Sequence, residues 1–117
     1  MDAARKKQLI DGGVDVDDAL ARFMGNEALL TRFLDKFPAN ENYGNLVAAL
    51  ADDRKEDAIT ACHALKGVCG NLSLTALFDL VNRQLIAMRA DDWQTAAALM
   101  DDITAGYNAA VAAITTK

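Results

Sequence analysis

Histidine is almost missing from this chain: His63 is the only one in 117 residues. A single histidine excludes a haem or di-metal helical protein, which needs a second histidine or inward carboxylates in Glu-x-x-His spacing, and the sequence has neither. Proline is equally scarce, with Pro38 alone. Two cysteines, Cys62 and Cys69, stand seven residues apart in one helical pattern, about 10 Å of rise, too far for a disulfide between them. They read as reduced core residues. Aromatic residues are 6% of a chain that is 52% hydrophobic, a balance that favours packed helices over a sandwich or a disordered chain. No apolar run approaches the roughly 20 residues of a membrane span, and Met1-Asp2-Ala3-Ala4-Arg5-Lys6-Lys7 has no signal-peptide core. The expected compartment is the cytoplasm, with no direct membrane contact. Basic residues are outnumbered 12 to 17, giving a net charge of −5, which disfavours nonspecific attraction to nucleic acid or to an anionic surface. Proteins are the expected partners.

What is present is helical periodicity. The length suits a single domain, residues 1–117, too small for a kinase catalytic domain plus anything else. Residues 1–13 read as a flexible or loosely packed lead-in. Asp15 to Phe23 forms a short amphipathic helix or turn. From Glu27 the positions Leu30, Phe33, Leu34 and Phe37, then Tyr43, Leu46, Val47 and Leu50, predict one long helix kinked at Pro38. Ala51-Asp52-Asp53-Arg54 supplies a turn with a capping aspartate, and a helix follows from about Lys55 to Cys69. Ser73 can cap the next helix, which runs to about Ala90. Asp91-Asp92 caps a last one from about Trp93 to Thr115. The fold expected is all-α, an up-and-down antiparallel four-helix bundle with a short additional N-terminal helix.

The third long segment carries the chemistry. At about 100° per residue, Ala58, Ala61, Cys62, Leu65, Val68, Cys69 and Leu72 form one apolar stripe, and His63 lies opposite it. Glu56, Ile59, Thr60, Lys66, Gly67 and Gly70 share its side. Glycine inside a helix costs about 1 kcal/mol relative to alanine. At Gly67, one turn past the histidine, the missing side chain leaves room for another macromolecule to approach the imidazole. Gly70-Asn71 is more easily read as a left-handed helix end. Lys66 stands three residues after His63, where its ammonium can face an anion held on the ring. The plainer reading is a solvated lysine beside a solvated histidine.

Gln84 breaks the apolar stripe of the following helix. A buried amide needs partners, because leaving it unsatisfied costs about 1 to 3 kcal/mol. Nδ1 of His63 is one candidate, which would leave Nε2 outward as the nucleophile. Backbone or water near a helix end is the other.

His63, Leu65, Lys66, Gly67, Gly70, Asn71 and Leu72 together resemble the pattern of the histidine-containing phosphotransfer (HPt) domains of multistep two-component phosphorelays. The opening Val14-Asp15-Val16-Asp17-Asp18-Ala19-Leu20-Ala21-Arg22-Phe23-Met24-Gly25-Asn26 is similar to the entry of such a domain, so the likeness spans nearly the whole chain. The resemblance implies a phosphorelay intermediate with no ATP site. His63 would be the phosphoacceptor, taking a phosphoryl group from one receiver aspartate and passing it to another. Lys66 would lie near the phosphoryl oxygens, and Gly67 would admit the receiver. It also implies response-regulator receiver domains and a sensor or hybrid histidine kinase as partners. No cofactor belongs to this chain, since the receiver brings Mg²⁺, and a monomer is expected. Ile59 is an apolar docking candidate; the outward parts of Leu29 and Phe33 are either docking or core. The position at which many members carry the Gln or Glu that holds Nδ1 falls on Leu85, one after Gln84. Either a small helix rotation lets Gln84 take that role, or water does.

Other classes compete with this reading. A non-catalytic helical-bundle adaptor in signalling would keep the motif without phosphorylation. Within the phosphorelay reading, a free-standing shuttle and the terminal domain of a hybrid kinase give the same sequence.

Overall fold

Helix succeeds helix along the computed structural model, which describes residues 1–116, and no strand occurs among them. The elements are α1 (Ala3–Asp11), α2 (Val16–Arg22), α3 (Glu27–Lys36), a 3₁₀ turn (Phe37–Ala39), α4 (Asn42–Ala51), α5 (Lys55–Asn71), α6 (Thr75–Arg89), α7 (Trp93–Ala98) and α8 (Met100–Thr115). Asp2, Asp15, Asn26 and Asp92 begin α1, α2, α3 and α7, each accepting a backbone N–H with its side chain. That satisfies one of the orphan donors of a helix start.

The helix ends follow one rule with an unexpected cast. Gly13, Met24, Asp53, Ser73 and Asp91 all adopt positive φ. After each, a six-to-one backbone bond closes the helix: Val14 to Leu9, Gly25 to Leu20, Arg54 to Ala49, Leu74 to Cys69 and Asp92 to Ala87. These are Schellman closures, and four of the five place a non-glycine residue in the left-handed region. Asp53 therefore ends α4 rather than capping α5, whose N-cap Arg54 makes no side-chain capping bond. Ser73 ends α5 in the same way, and Leu74 occupies the N-cap of α6.

Two expected long helices are divided. Around Pro38 the chain does not kink and continue: it passes through the 3₁₀ turn and leaves helical geometry at Asn40 before α4 starts. Proline removes the amide that a continuing helix would use. The last helix pauses at Leu99 between α7 and α8.

The core is one cluster that draws on every helix, from Leu9 on α1 to Ile114 on α8. α5 packs between α4 and α6, α6 also meets α7 and α8, and α1 lies on α8. α5 and α6 run antiparallel, because Cys62 meets Gln84 while Gly70 lies against Phe78. Phe37, Tyr43 and Tyr107 fill one end, with Tyr43 and Tyr107 stacked at 4.0 Å.

The lead-in expected over residues 1–13 is instead a docked helix. Leu9 is buried, and the Arg5 guanidinium donates to the carbonyls of Ala113, Ile114 and Thr116, the unpaired acceptors at the end of α8. The two helices touch at Gly12, where a Cβ would come within 2.3 Å of Ala113 Cβ and 3.1 Å of Ala109 O. Gly12→Val is expected to lower stability in urea denaturation by about 2–3 kcal/mol, the usual penalty of overpacking. The loss is capped at whatever α1 docking contributes, since the helix can detach. An unchanged midpoint would mean that this docking adds nothing.

Candidate functional site around His63

α5 is built to carry an exposed residue on a rigid support. Over 17 residues it buries Ala58, Ala61, Cys62, Leu65 and Cys69 on one side. Glu56 and Asp57 complement the positive end of the helix dipole in its first turn. His63 falls on the opposite side and is exposed. Its neighbour Cys62 is fully buried, and burial pushes the Cys62 and Cys69 thiols up to about 12. Both cysteines are unpaired thiols with little nucleophilic thiolate. The imidazole, unlike the two thiols, is open to approach from outside.

Three neighbours shape the space around it. A Cβ at Gly67 would meet nothing within 4 Å, so the surface beside the ring is open. Gly70 has a different role from the cap expected of it, since α5 continues through Asn71. A Cβ there would press on the Phe78 ring at 3.2 and 3.3 Å. Glycine lets Phe78 lie against α5, and the Lys66 ammonium sits 5.8 Å from the centre of that ring. This is cation–π distance. Gly70 thus places Lys66 through Phe78.

Arg89, at the end of α6, was not singled out by the sequence. Its Nη2 lies 3.5 Å from His63 Nδ1. Counting antiparallel register outward from the α5–α6 turn sets α6 beside His63, but only the length of the arginine side chain brings its head to the ring. Neither Lys66 nor Arg89 is in an ion pair among the described residues, whereas Lys6, Lys7, Arg22 and Arg54 all are. Arg89 thus lies against the imidazole, and Lys66 shares a cleft with it.

His63, Lys66, Gly67, Gly70 and Phe78 border a cleft of about 470 Å³, and Arg89 is not part of its wall. Its far wall belongs to α2, where Asp18 accepts from Ser73 Oγ at 2.6 Å and from Arg22 Nε at 3.0 Å. Those bonds, from Ser73 first and then Arg22, hold the Asp18 carboxyl below its ordinary value. Beyond α2, Phe33 is 44% exposed and its ring centre is 5.3 Å from that of Phe23. Leu29 and Ile59 are half-buried, and Ile59 packs against the core.

Gln84 is buried, as its place in the apolar stripe requires, but it does not hold His63. Its Nε2 donates to Ala96 O at 2.9 Å and its Oε1 accepts from Cys62 Sγ at 3.5 Å. The side chain ties α6 to α5 and α7, and the carbonyl it takes lies one turn before α8 begins at Met100. A helical wheel shows that Gln84 points inward but not what lies across from it. Gln84→Met is expected to cost about 1–3 kcal/mol in a urea melt, because Ala96 O loses its buried partner. An unchanged melt would show that water or a backbone shift replaces the bond.

Among the described residues, no group of three or more His, Cys, Asp or Glu side chains is placed to hold a metal ion, and no helix is long and apolar enough to cross a membrane. No family model, curated protein or solved structure matches the chain, so the function of this site has to be read from its own residues.

Proposed function

We propose that the protein is a phosphorelay intermediate of the histidine phosphotransfer type, cycling through phosphohistidine at His63. The observation that carries the reading is the sole imidazole, exposed midway along α5, with open space over Gly67, Arg89 at its Nδ1 and Lys66 on the same cleft. In this reading α3–α4, α5, α6 and α7–α8 are the four arms of an up-and-down bundle, with α1 and α2 as additions. The partners are receiver domains and a sensor or hybrid histidine kinase, in the cytoplasm.

The chemistry is an in-line displacement. The Nε2 lone pair attacks phosphorus of a receiver's aspartyl phosphate, the N–P bond forms, and the P–O bond breaks with its electron pair leaving on the carboxylate. One proton leaves the ring. Lys66 and Arg89 offset negative charge on the phosphoryl oxygens, and the rigid α5 platform supplies alignment. The receiver contributes Mg²⁺ along with the phosphoryl group. Return transfer to a second receiver reverses these bonds.

The test is transfer of labelled phosphate from a panel of phosphorylated receiver domains to the purified protein. Label that is lost in acid and kept in base is the expected result, since an N–P bond behaves in that way and an acyl phosphate does not. A folded protein that takes label from none of a broad receiver panel would turn the reading towards an adaptor that binds without phosphorylation.

A further inference from the structure

Arg89 faces Nδ1 of His63. A guanidinium has five N–H donors, no acceptor and a charge it does not lose. At 3.5 Å its Nη2 is at the long end of hydrogen-bonding range. It has a partner there only when Nδ1 presents a lone pair. In the neutral ring the single proton then resides on Nε2. A glutamine at the same place can turn its amide to donate or to accept, and so leaves both tautomers open.

Resting on the reading of His63 as phosphoacceptor, we propose that Arg89 is a positioning residue that keeps Nδ1 bare: it holds the resting ring in its unreactive Nε2–H tautomer, and it protects the phosphorylated ring from protonation. Attack needs the lone pair on Nε2, so the Nε2 proton has to pass to Nδ1 or to solvent before the N–P bond forms. The guanidinium opposes the first route until a partner draws it away. An aspartyl phosphate approaching over Gly67 brings the negative charge that can do so, which makes the nucleophile ready only when its substrate is present.

After transfer the same contact has the opposite consequence. A phosphoimidazole is neutral in the ring and carries its lone pair on Nδ1, the state that accepts from Arg89. Loss of the phosphoryl group to water breaks the N–P bond, and its electron pair returns to Nε2. That departure is easy only if Nδ1 is first protonated, so that a neutral imidazole leaves. Two cations oppose that proton, Arg89 from α6 and Lys66 from α5 itself. On α2, the Asp18 carboxylate that would favour it is engaged by Ser73 and Arg22. No residue of α4 lines the cleft.

The experiment has two arms, both on the full chain with Arg89→Gln and Arg89→Lys alongside. The first is ¹⁵N NMR of the imidazole in the unphosphorylated protein above neutral pH, where one histidine gives one unambiguous pair of ring nitrogens. Wild type and Arg89→Lys should show almost only the Nε2–H form, and Arg89→Gln a measurable Nδ1–H fraction. The second arm follows hydrolysis of phosphohistidine against pH after labelling by a receiver. Arg89→Gln should lose phosphate about three- to fivefold faster near pH 6, the scale of one exposed charge contact, with the acid limb of its profile moved towards neutral. Arg89→Lys should restore most of the lifetime. An identical tautomer ratio in wild type and Arg89→Gln, or a pH profile that does not move, overturns the proposal. If wild type takes no label from any receiver, the phosphoacceptor reading falls instead, and the tautomer ratio still decides whether Arg89 sets the state of the ring.

Discussion

Replacing His63 by glutamine will reduce phosphoryl acceptance to background while leaving the thermal melt where it was. The two halves of that result test different links. His63 is exposed on the side of α5 opposite Leu65 and Cys69, so its ring contributes little packing. Exposed substitutions of this kind usually stay within about 0.5 kcal/mol. Glutamine keeps a polar surface group and supplies no nucleophile. With no second histidine in the sequence, the label has no neighbouring imidazole to occupy, and the buried Cys62 and Cys69 thiols do not substitute. Incorporation of label and circular-dichroism melting, measured on the same preparation, check both halves. Persistent acid-labile label would move the acceptor to another residue. A lost or broadened melt would mean that the imidazole is part of the packing.

The outward placement of His63 was legible because it depends only on local geometry. The 3.6-residue period sorts α5 into an apolar stripe and a polar one without reference to any other helix. The same calculation buried Gln84. It stops at contacts between helices: it leaves Gln84 open between Nδ1 of His63 and backbone or water, where the partners are the Ala96 carbonyl and Cys62 Sγ, and it gives no sign of Arg89. Sequence periodicity gives the direction of a side chain on its own cylinder, and the identity of the atoms opposite depends on helix offset and rotation.

Helix ends failed for another reason. Glycine adopts left-handed geometry at no steric cost, which makes Gly70 the expected cap, yet the left-handed residues after α2, α4, α5 and α6 are Met24, Asp53, Ser73 and Asp91. A left-handed non-glycine residue costs roughly 1–2 kcal/mol. At Ser73 that cost is offset by a closed pair of carbonyls on α5 and by the Oγ bond to Asp18, and the second of these joins α2 to the α5–α6 turn. That compensation is tertiary, so nothing at the residue itself announces it. The docking of α1 is hidden from the sequence on similar grounds, since Arg5 finds its acceptors only once the end of α8 is beside it.

Gly67→Leu separates the site from the scaffold more sharply than any core change. Gly12, Gly70 and Gly67 form a graded series. At Gly12 an added carbon strikes Ala113 at 2.3 Å, at Gly70 it presses on Phe78 at 3.2 Å, and at Gly67 it meets nothing. A side chain at Gly67 is therefore free to form, and it removes the helix penalty of about 1 kcal/mol that glycine imposes. Gly67→Leu should melt at the same temperature as wild type or slightly higher. Its branched end would project into the space one turn from the imidazole, where an aspartyl phosphate has to come within about 3–3.5 Å of Nε2 for reaction. A displacement of about 1 Å from that approach costs on the order of 100-fold, so receiver-to-His63 transfer should fall by at least that factor. A small-molecule donor such as phosphoramidate needs far less room and should lose much less. The ratio of the two rates is the measurement. Equal losses with both donors would mean that leucine disturbs the ring itself, and equal retention would mean that receivers reach His63 from the Arg89 side.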